Sequence, residues 1–312
     1  ANNKPMLSPN IIREKVFPEI QKDSKTLLLV LDNLRYDHWV ALRPLLSEYF
    51  SVEDDSLYFS ILPTTTQYAR NALFSGLMPA DLEKLYPDLW VDDEDDESKN
   101  LHEEEMLVTQ LKRLGYSERI YFDKITNINT GKNLNDRLAH ISQTHFSVLV
   151  HNFIDILSHA RTEMNMIKEL ANDEAAYRSL TVSWFTHSPL FEMLQELSRR
   201  KVNILITTDH GSVNIQNPIK VLGDRNVNTN LRYKQGKALQ YNKKEVFEIT
   251  RPIDARLPQN HLSSAYIFAT NQDFFAYPNN YNYYVKYYKD TFQHGGISLE
   301  EMIIPFVSLK AI

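Results

Sequence analysis

The chain alternates short, almost continuously apolar runs with longer stretches whose apolar residues recur at helical spacing. Five runs stand out: TLLLVLDN at 26–33, FSVLVHNFID at 146–155, VNILITTDH at 202–210, AYIFAT at 265–270 and EMIIPFVSL at 301–309. Runs so short and so uniformly apolar are the pattern of strands covered on both faces, as in a parallel sheet. Residues 100–115, NLHEEEMLVTQLKRLG, start acidic and reach Gly115, which predicts a helix with its C-cap. Residues 173–200 predict another helical stretch, broken near Pro189. Strands alternating with helices predict a layered α/β fold with a mostly parallel central sheet. No internal repeat is visible.

Two segments read as additions to this core. The acidic run at 92–105 is the pattern of a solvated loop leading into a helix. Residues 212–262 are polar and irregular and carry more Lys and Arg than Asp and Glu, although the whole chain has a net charge of −6. They predict a polar cap inserted into the core, serving as a local anion site or as a surface flap.

Composition narrows the chemistry. The chain has 312 residues, enough for one large domain or two small ones. Its negative charge argues against stable binding of duplex DNA, which needs a basic surface. Cysteine is absent, which removes disulfides, thiolate ligands and a cysteine nucleophile. Any metal must therefore be held by Asp, Glu and His. The N-terminus lacks a signal pattern, and no run approaches the roughly 20 apolar residues of a membrane span, so a cytoplasmic protein is expected.

Three apolar runs end in potential ligands: Asp32 after TLLLVL, Asp155 after FSVLVHNFI, and Asp209 with His210 after VNILITT. In open α/β sheets the carboxyl ends of parallel strands share one edge, where ligands collect. Asp155 and His159, four apart, share a face if a helical turn starts there. His294 precedes two glycines in a chain with only eight. In LPTTTQYARNALFSG, Thr64, Thr65 or Thr66 is placed to begin a helix, where a hydroxyl and free N–H groups can meet an anion.

Taken in order, LDNLRYD, PTTTQYARNALFSG, DILSH, TTDHG and HGGISLEEMIIP resemble the alkaline phosphatase superfamily. Within it they are most similar to PglZ domains, especially the effector domain of PorX-like response regulators linked to type IX secretion. The resemblance spans residues 32–306 and implies a three-layer α/β/α sandwich as a single domain over 1–312, with an upstream receiver domain missing from this chain. It implies two divalent ions, zinc first with manganese also compatible. One would be held by Asp155, His159 and His294. The other would be held by Asp32, Asp209, His210 and the oxygen of the nucleophile, Thr66, whose distance to Ser75-Gly76 fits better than that of Thr65. The threonine run lacks the formylglycine pattern of sulfatases, and the 88 positions between Thr66 and Asp155 leave no room for the large second domain of a phosphomutase.

The implied activity is a phosphodiesterase working on nucleotide substrates, cyclic or linear oligonucleotides, through a phosphothreonine. Two dications and three aspartates leave the site at +1, which suits a diester monoanion. The alternatives are a phosphomonoesterase and a metal-stabilised, non-catalytic module that binds signalling or secretion proteins. The tyrosine-rich stretch 277–292 could stack bases or simply pack. His151, His187, Asn33 and Arg70 lie near the motifs without an evident role.

Overall fold

A computed structural model describes residues 4–91, 101–126, 134–152, 154–158, 173–223, 227–259 and 261–312. A six-stranded sheet is built from β1 (Thr26–Leu31), β2 (Phe50–Phe59), β3 (Tyr121–Ile125), β4 (Phe146–His151), β5 (Asn203–Thr207) and the last strand, Ile303–Ala311. Its order is β2, the last strand, β5, β1, β4, β3. β1 pairs in parallel with β4 and β5, and β3 pairs in parallel with β4. Only the last strand runs against its neighbours.

Alternating residues of the central strands serve two cores, which is why these strands read as unbroken apolar runs. Leu28, Val30, Val148, Val150 and Leu205 pack with Tyr68, Phe74, Met106 and Leu107 on one face. Leu27, Leu29, Leu31, Leu149, Ile204 and Ile206 pack with Trp39, Leu42, Tyr177, Phe185, Leu190 and Leu194 on the other. The result is the three-layer α/β/α sandwich. The helical stretch at 173–200 is two helices, Glu174–Thr186 and Pro189–Arg199. Pro189 sits in the first turn of the second, where its missing N–H costs nothing. Glu103–Arg113 ends as expected, with Gly115 at φ +88.

The register levels the working edge. Leu31 stands opposite His151 and Val30 opposite Thr207, so β1, β4 and β5 end together. β2 runs the same way and delivers Pro63–Thr66 to that edge, while the antiparallel last strand begins there and brings the segment before it.

Between β5 and the last strand lie smaller sheets. They comprise β6 (Val213–Asn214), β7 (Asn217–Lys220), β8 (Tyr233–Gly236), β9 (Phe247–Ile249), β10 (Ala265–Phe268), β11 (Asp273–Ala276) and β12 (Phe292–Gln293); the last strand is β13. AYIFAT supplies β10, at the centre of a three-stranded antiparallel sheet rather than in the main one. It reads as a core strand because it too is covered twice: Tyr266 and Phe268 join the main core, and Ile267 and Ala269 join a separate cluster with Ile219, Val221 and Phe275. No helix among the described residues is long and apolar enough to cross a membrane.

One buried group gives the fold a pH dependence. His38 is fully buried, and neither ring nitrogen has a hydrogen-bond partner among the described residues. Burial pushes its pKa down to about 3 against the pull of Asp37, with Arg35 and Arg178 adding to the fall. The unfolded chain, titrating near 6.5, binds a proton that the folded state refuses. Stability should therefore be full above pH 6.5 and decline steadily on acidification towards the folded value. His38→Phe keeps a ring against Tyr177 and removes that proton, so urea titrations should show a shallower acid loss, by several kcal/mol. An unchanged pH slope would assign the loss to other groups.

Candidate metal centre and active site

Asp32, Asp209 and His210 meet at the carboxyl edge, each offering a ligand atom within 4.8 Å of the others, and all three are buried. Thr66 Oγ1 lies 3.2 Å from His210 Nε2. His210 Nδ1 lies 3.0 Å from the Gly211 carbonyl, and donating there leaves Nε2 as a bare lone pair facing the cluster. His294 repeats the arrangement: Nδ1 reaches the Thr64 carbonyl at 3.1 Å, and its ring stacks on His210 with centroids 4.1 Å apart. Asp155 sits in a short helical turn after β4, close enough for its charge to act on both Asp32 and His294. Six of the seven expected side chains thus converge on one edge. His159 lies outside the described residues.

Electrostatics mark this as a place built for a cation. Burial pushes the Asp32 carboxyl well above its ordinary range; Arg70 opposes this, while Asp209 and Asp155 reinforce it. Burial also pushes Asp209 up, but His210 and Arg70 outweigh it and hold that carboxyl below its ordinary range. Burial lowers His294 to about 4, helped by His210 and resisted by Asp155. Asp32 Oδ1 is buried with no hydrogen-bond partner among the described residues. An orphaned carboxylate oxygen beside bare imidazole nitrogens is costly in a protein alone and fits an oxygen- and nitrogen-binding divalent ion.

Arg70 is the member that reading the sequence left without a role. Its guanidinium is 1% exposed and reaches Asp32 Oδ2 at 2.6 Å through Nη2 and Asp209 Oδ2 at 3.1 Å through Nε. Glu103 lies 3.5 Å from the same Nε and is itself paired with Lys124 at 2.9 Å. Arg70 thus occupies one oxygen of Asp32 and leaves the other turned to the cluster. Arg70 and Lys124 bring two positive charges against the single negative one of Glu103 beside the two aspartates. The spacing was the available signal: Arg70 follows Thr66 by four, so in a helix the two share a face.

The two motifs carrying threonine and glycine lock together. Thr65 begins the helical segment Thr66–Arg70 but makes no side-chain cap. Thr64 instead donates through Oγ1 to the Gly296 carbonyl at 2.9 Å and accepts from the Gly295 N–H at 3.0 Å. Gly295 has φ +120, and a Cβ on Gly296 would come within 2.5 Å of the Ala269 carbonyl, which explains both glycines. From below, Glu301 accepts from the Gly296 N–H and pairs with buried Arg232 at 2.6 Å. Thr64→Val keeps the shape but strands the Gly295 N–H, so it should cost ~1–3 kcal/mol in denaturant titrations. Thr64→Ser should restore that loss, and a Val variant as stable as the parent would dismiss the clamp.

This sheet order with a cluster of carboxylates and imidazole at its carboxyl edge is that of an alkaline phosphatase-like hydrolase, a superfamily that works with divalent metals. Among solved structures of this fold is the human ectonucleotide pyrophosphatase/phosphodiesterase 5, with 12% identity, a TM-score of 0.57 and coverage of 91% of this chain and 87% of that one. The murine protein, solved as an inactive threonine-to-alanine variant in complex with AMP, matches at 12% identity and TM-score 0.59, covering 91% and 88%. Phosphonoacetate hydrolase from Sinorhizobium meliloti, in complex with phosphonoformate, matches at 11% and 0.51, covering 91% and 89%. No curated protein matches the chain. The chain belongs to the PglZ family: the family model of the BREX system PglZ alkaline phosphatase-like domain matches residues 11–309.

Proposed function

We propose that the chain is a metal-dependent phosphodiesterase acting on nucleotide-type diesters through Thr66. The carrying observation is the Thr66 hydroxyl 3.2 Å from His210 Nε2, at the mouth of the Asp32–Asp209–His210 cluster. Asp32, Asp209 and His210 would hold one divalent ion beside Thr66, and Asp155 and His294, with His159, a second. Bound there, such ions lower the pKa of a coordinated hydroxyl and neutralise phosphoryl oxygens. Zinc and manganese both suit the donor set.

The chain's own residues set up the displacement. The helical segment Thr66–Arg70 presents the Thr66 oxygen at a first turn that no side chain caps, a setting for a phosphoryl anion. Thr66 Oγ attacks phosphorus, its proton passes to solvent water, and the bond to the departing alkoxide breaks, giving a phosphothreonine and an alcohol once the alkoxide takes a proton from water. Water then attacks the same phosphorus, the Oγ–P bond breaks and the Thr66 hydroxyl is restored. The +1 balance favours a monoanionic diester over a dianionic monoester. AMP bound by the murine relative supports a nucleotide moiety.

Elemental analysis and paired assays test this reading. Purified protein should carry about two transition-metal ions per chain. It should cleave a dinucleotide or a bis-aryl phosphodiester faster than an aryl monophosphate, and lose activity in chelator. A well-folded protein that takes up no metal, or that prefers the monoester, would sink it.

A further inference from the structure

The tyrosine-rich stretch forms a helix, Tyr281–Tyr288, with none of its residues buried. Its inner face is committed to packing: Tyr281, Val285 and Tyr288 lie against Val213, Ile215, Phe274 and Ala276. The outer face keeps three large rings in water, with Tyr283 64%, Tyr284 40% and Tyr287 39% exposed. Packing therefore accounts for one face of this helix and not for the other.

The exposed rings are ordered. Tyr283 and Tyr287 lie nearly parallel, 16° apart with centroids at 6.2 Å, and Tyr284 stands edge-on to Tyr283 at 5.3 Å. Lys286 is exposed on the same helix, and Lys220 Nζ sits 4.8 Å from the Tyr281 ring. From Tyr277 to Lys289 there is no Asp or Glu, in a chain whose net charge is −6. Flat aromatic faces beside Lys286, on a helix that carries no carboxylate of its own and is followed by Asp290, match the bases and backbone of a single strand.

The platform is tied to both ligand-bearing loops. The chain passes from Tyr288 through β12 to His294, and β12 pairs with β6, which follows Asp209 and His210. Six residues span at most ~20 Å, so the helix end and His294 are no farther apart than a few nucleotides.

We propose that Tyr283, Tyr284 and Tyr287 form a stacking platform for the bases of a linear single-stranded oligonucleotide whose phosphodiester reaches the Thr66 site. The choice of occupant rests on the phosphodiesterase reading, and the platform itself on the exposed rings and lysines. The probe is a fluorescein-labelled oligothymidylate of ~10 nucleotides, inside the ~4–16-nucleotide span of single-strand sites, followed by anisotropy on the Thr66→Ala protein so that nothing is cleaved. Each Tyr→Ala change should weaken binding about fivefold or more, matching the ~1 kcal/mol lower bound for one stacked base. The three Tyr→Phe changes, which keep the rings, should bind like the parent, and Lys286→Gln should flatten the salt dependence.

In otherwise unaltered protein the triple alanine variant should lose activity on the long strand and keep it on a dinucleotide. Failure of the parent to bind the oligonucleotide, full binding by the triple alanine variant, or equal loss in the phenylalanine variant would each overturn the proposal. Binding is read without turnover, so a catalytically inert parent would refute the phosphodiesterase reading and leave this test intact.

Discussion

Thr66→Ala is expected to lower phosphodiester hydrolysis by at least ~10³-fold while leaving the protein folded and loaded with metal. The size follows from the proposed role: a nucleophile without its oxygen forms no covalent intermediate, and only positioning and charge stabilisation remain. The structural cost is small because, among the described residues, Thr66 Oγ1 makes one hydrogen bond, to His210 Nε2, and its loss is worth ~0.5–1.5 kcal/mol. Thr66→Ser restores the hydroxyl and should recover much of the rate. Trapping of a phosphorylated residue in the parent, absent in the alanine variant, distinguishes a nucleophile from a hydroxyl that merely orients water. Near-parental turnover by Thr66→Ala would reassign the nucleophile, with Thr65 the next candidate.

Arg70→Met should produce the largest stability effect at the site, ~3–5 kcal/mol in metal-free protein. The guanidinium is the buried counter-charge of Asp32 and Asp209 and lies 3.5 Å from Glu103, and methionine fills its space without its charge. The pH dependence has a definite sign. In the parent, burial alone would raise the Asp209 pKa, but His210 and Arg70 hold it below its ordinary value. Its contribution is therefore present above the unfolded carboxylate range and is lost as pH falls through the folded value. In the variant the carboxylates are pushed up instead, so the penalty should be greatest at neutral pH and shrink on acidification. Zinc or manganese at 100 times its Kd should return about 2.7 kcal/mol by mass action. Melting curves in chelator that overlay those of the parent would show that Arg70 is not the counter-charge these aspartates depend on.

The candidate site was unusually legible because its residues sit where backbone geometry forces them together. Asp32, Asp209 and His210 follow apolar strands directly, and parallel pairing brings such strand ends to one edge whatever the intervening sequence. Asp155 is one step removed: β4 ends at His151, and a helical turn carries the carboxylate onward. The edge strands were harder to read. β2 contains Glu53, Asp54 and Asp55, and β3 contains Asp123 and Lys124, because a strand with one neighbour keeps part of its surface in water. AYIFAT misled in the opposite sense, since a small sheet buried on both faces has the same composition as a central strand.

The sequence by itself determined the central strands, the two-sided burial that makes them apolar, and the acids and imidazoles at their ends, since these depend on local periodicity and on the rules of parallel sheets. Only the tertiary structure decided what those groups face. It turned Arg70 onto two aspartates, set Thr64 across Gly295 and Gly296, joined Arg232 to Glu301, and divided a run of tyrosines into a packed face and an open one. Such contacts join residues up to 232 positions apart, as between Thr64 and Gly296, and their energy comes from removing paired charges and polar atoms from water together. No local pattern encodes that, because the partner becomes a neighbour only after the chain has closed.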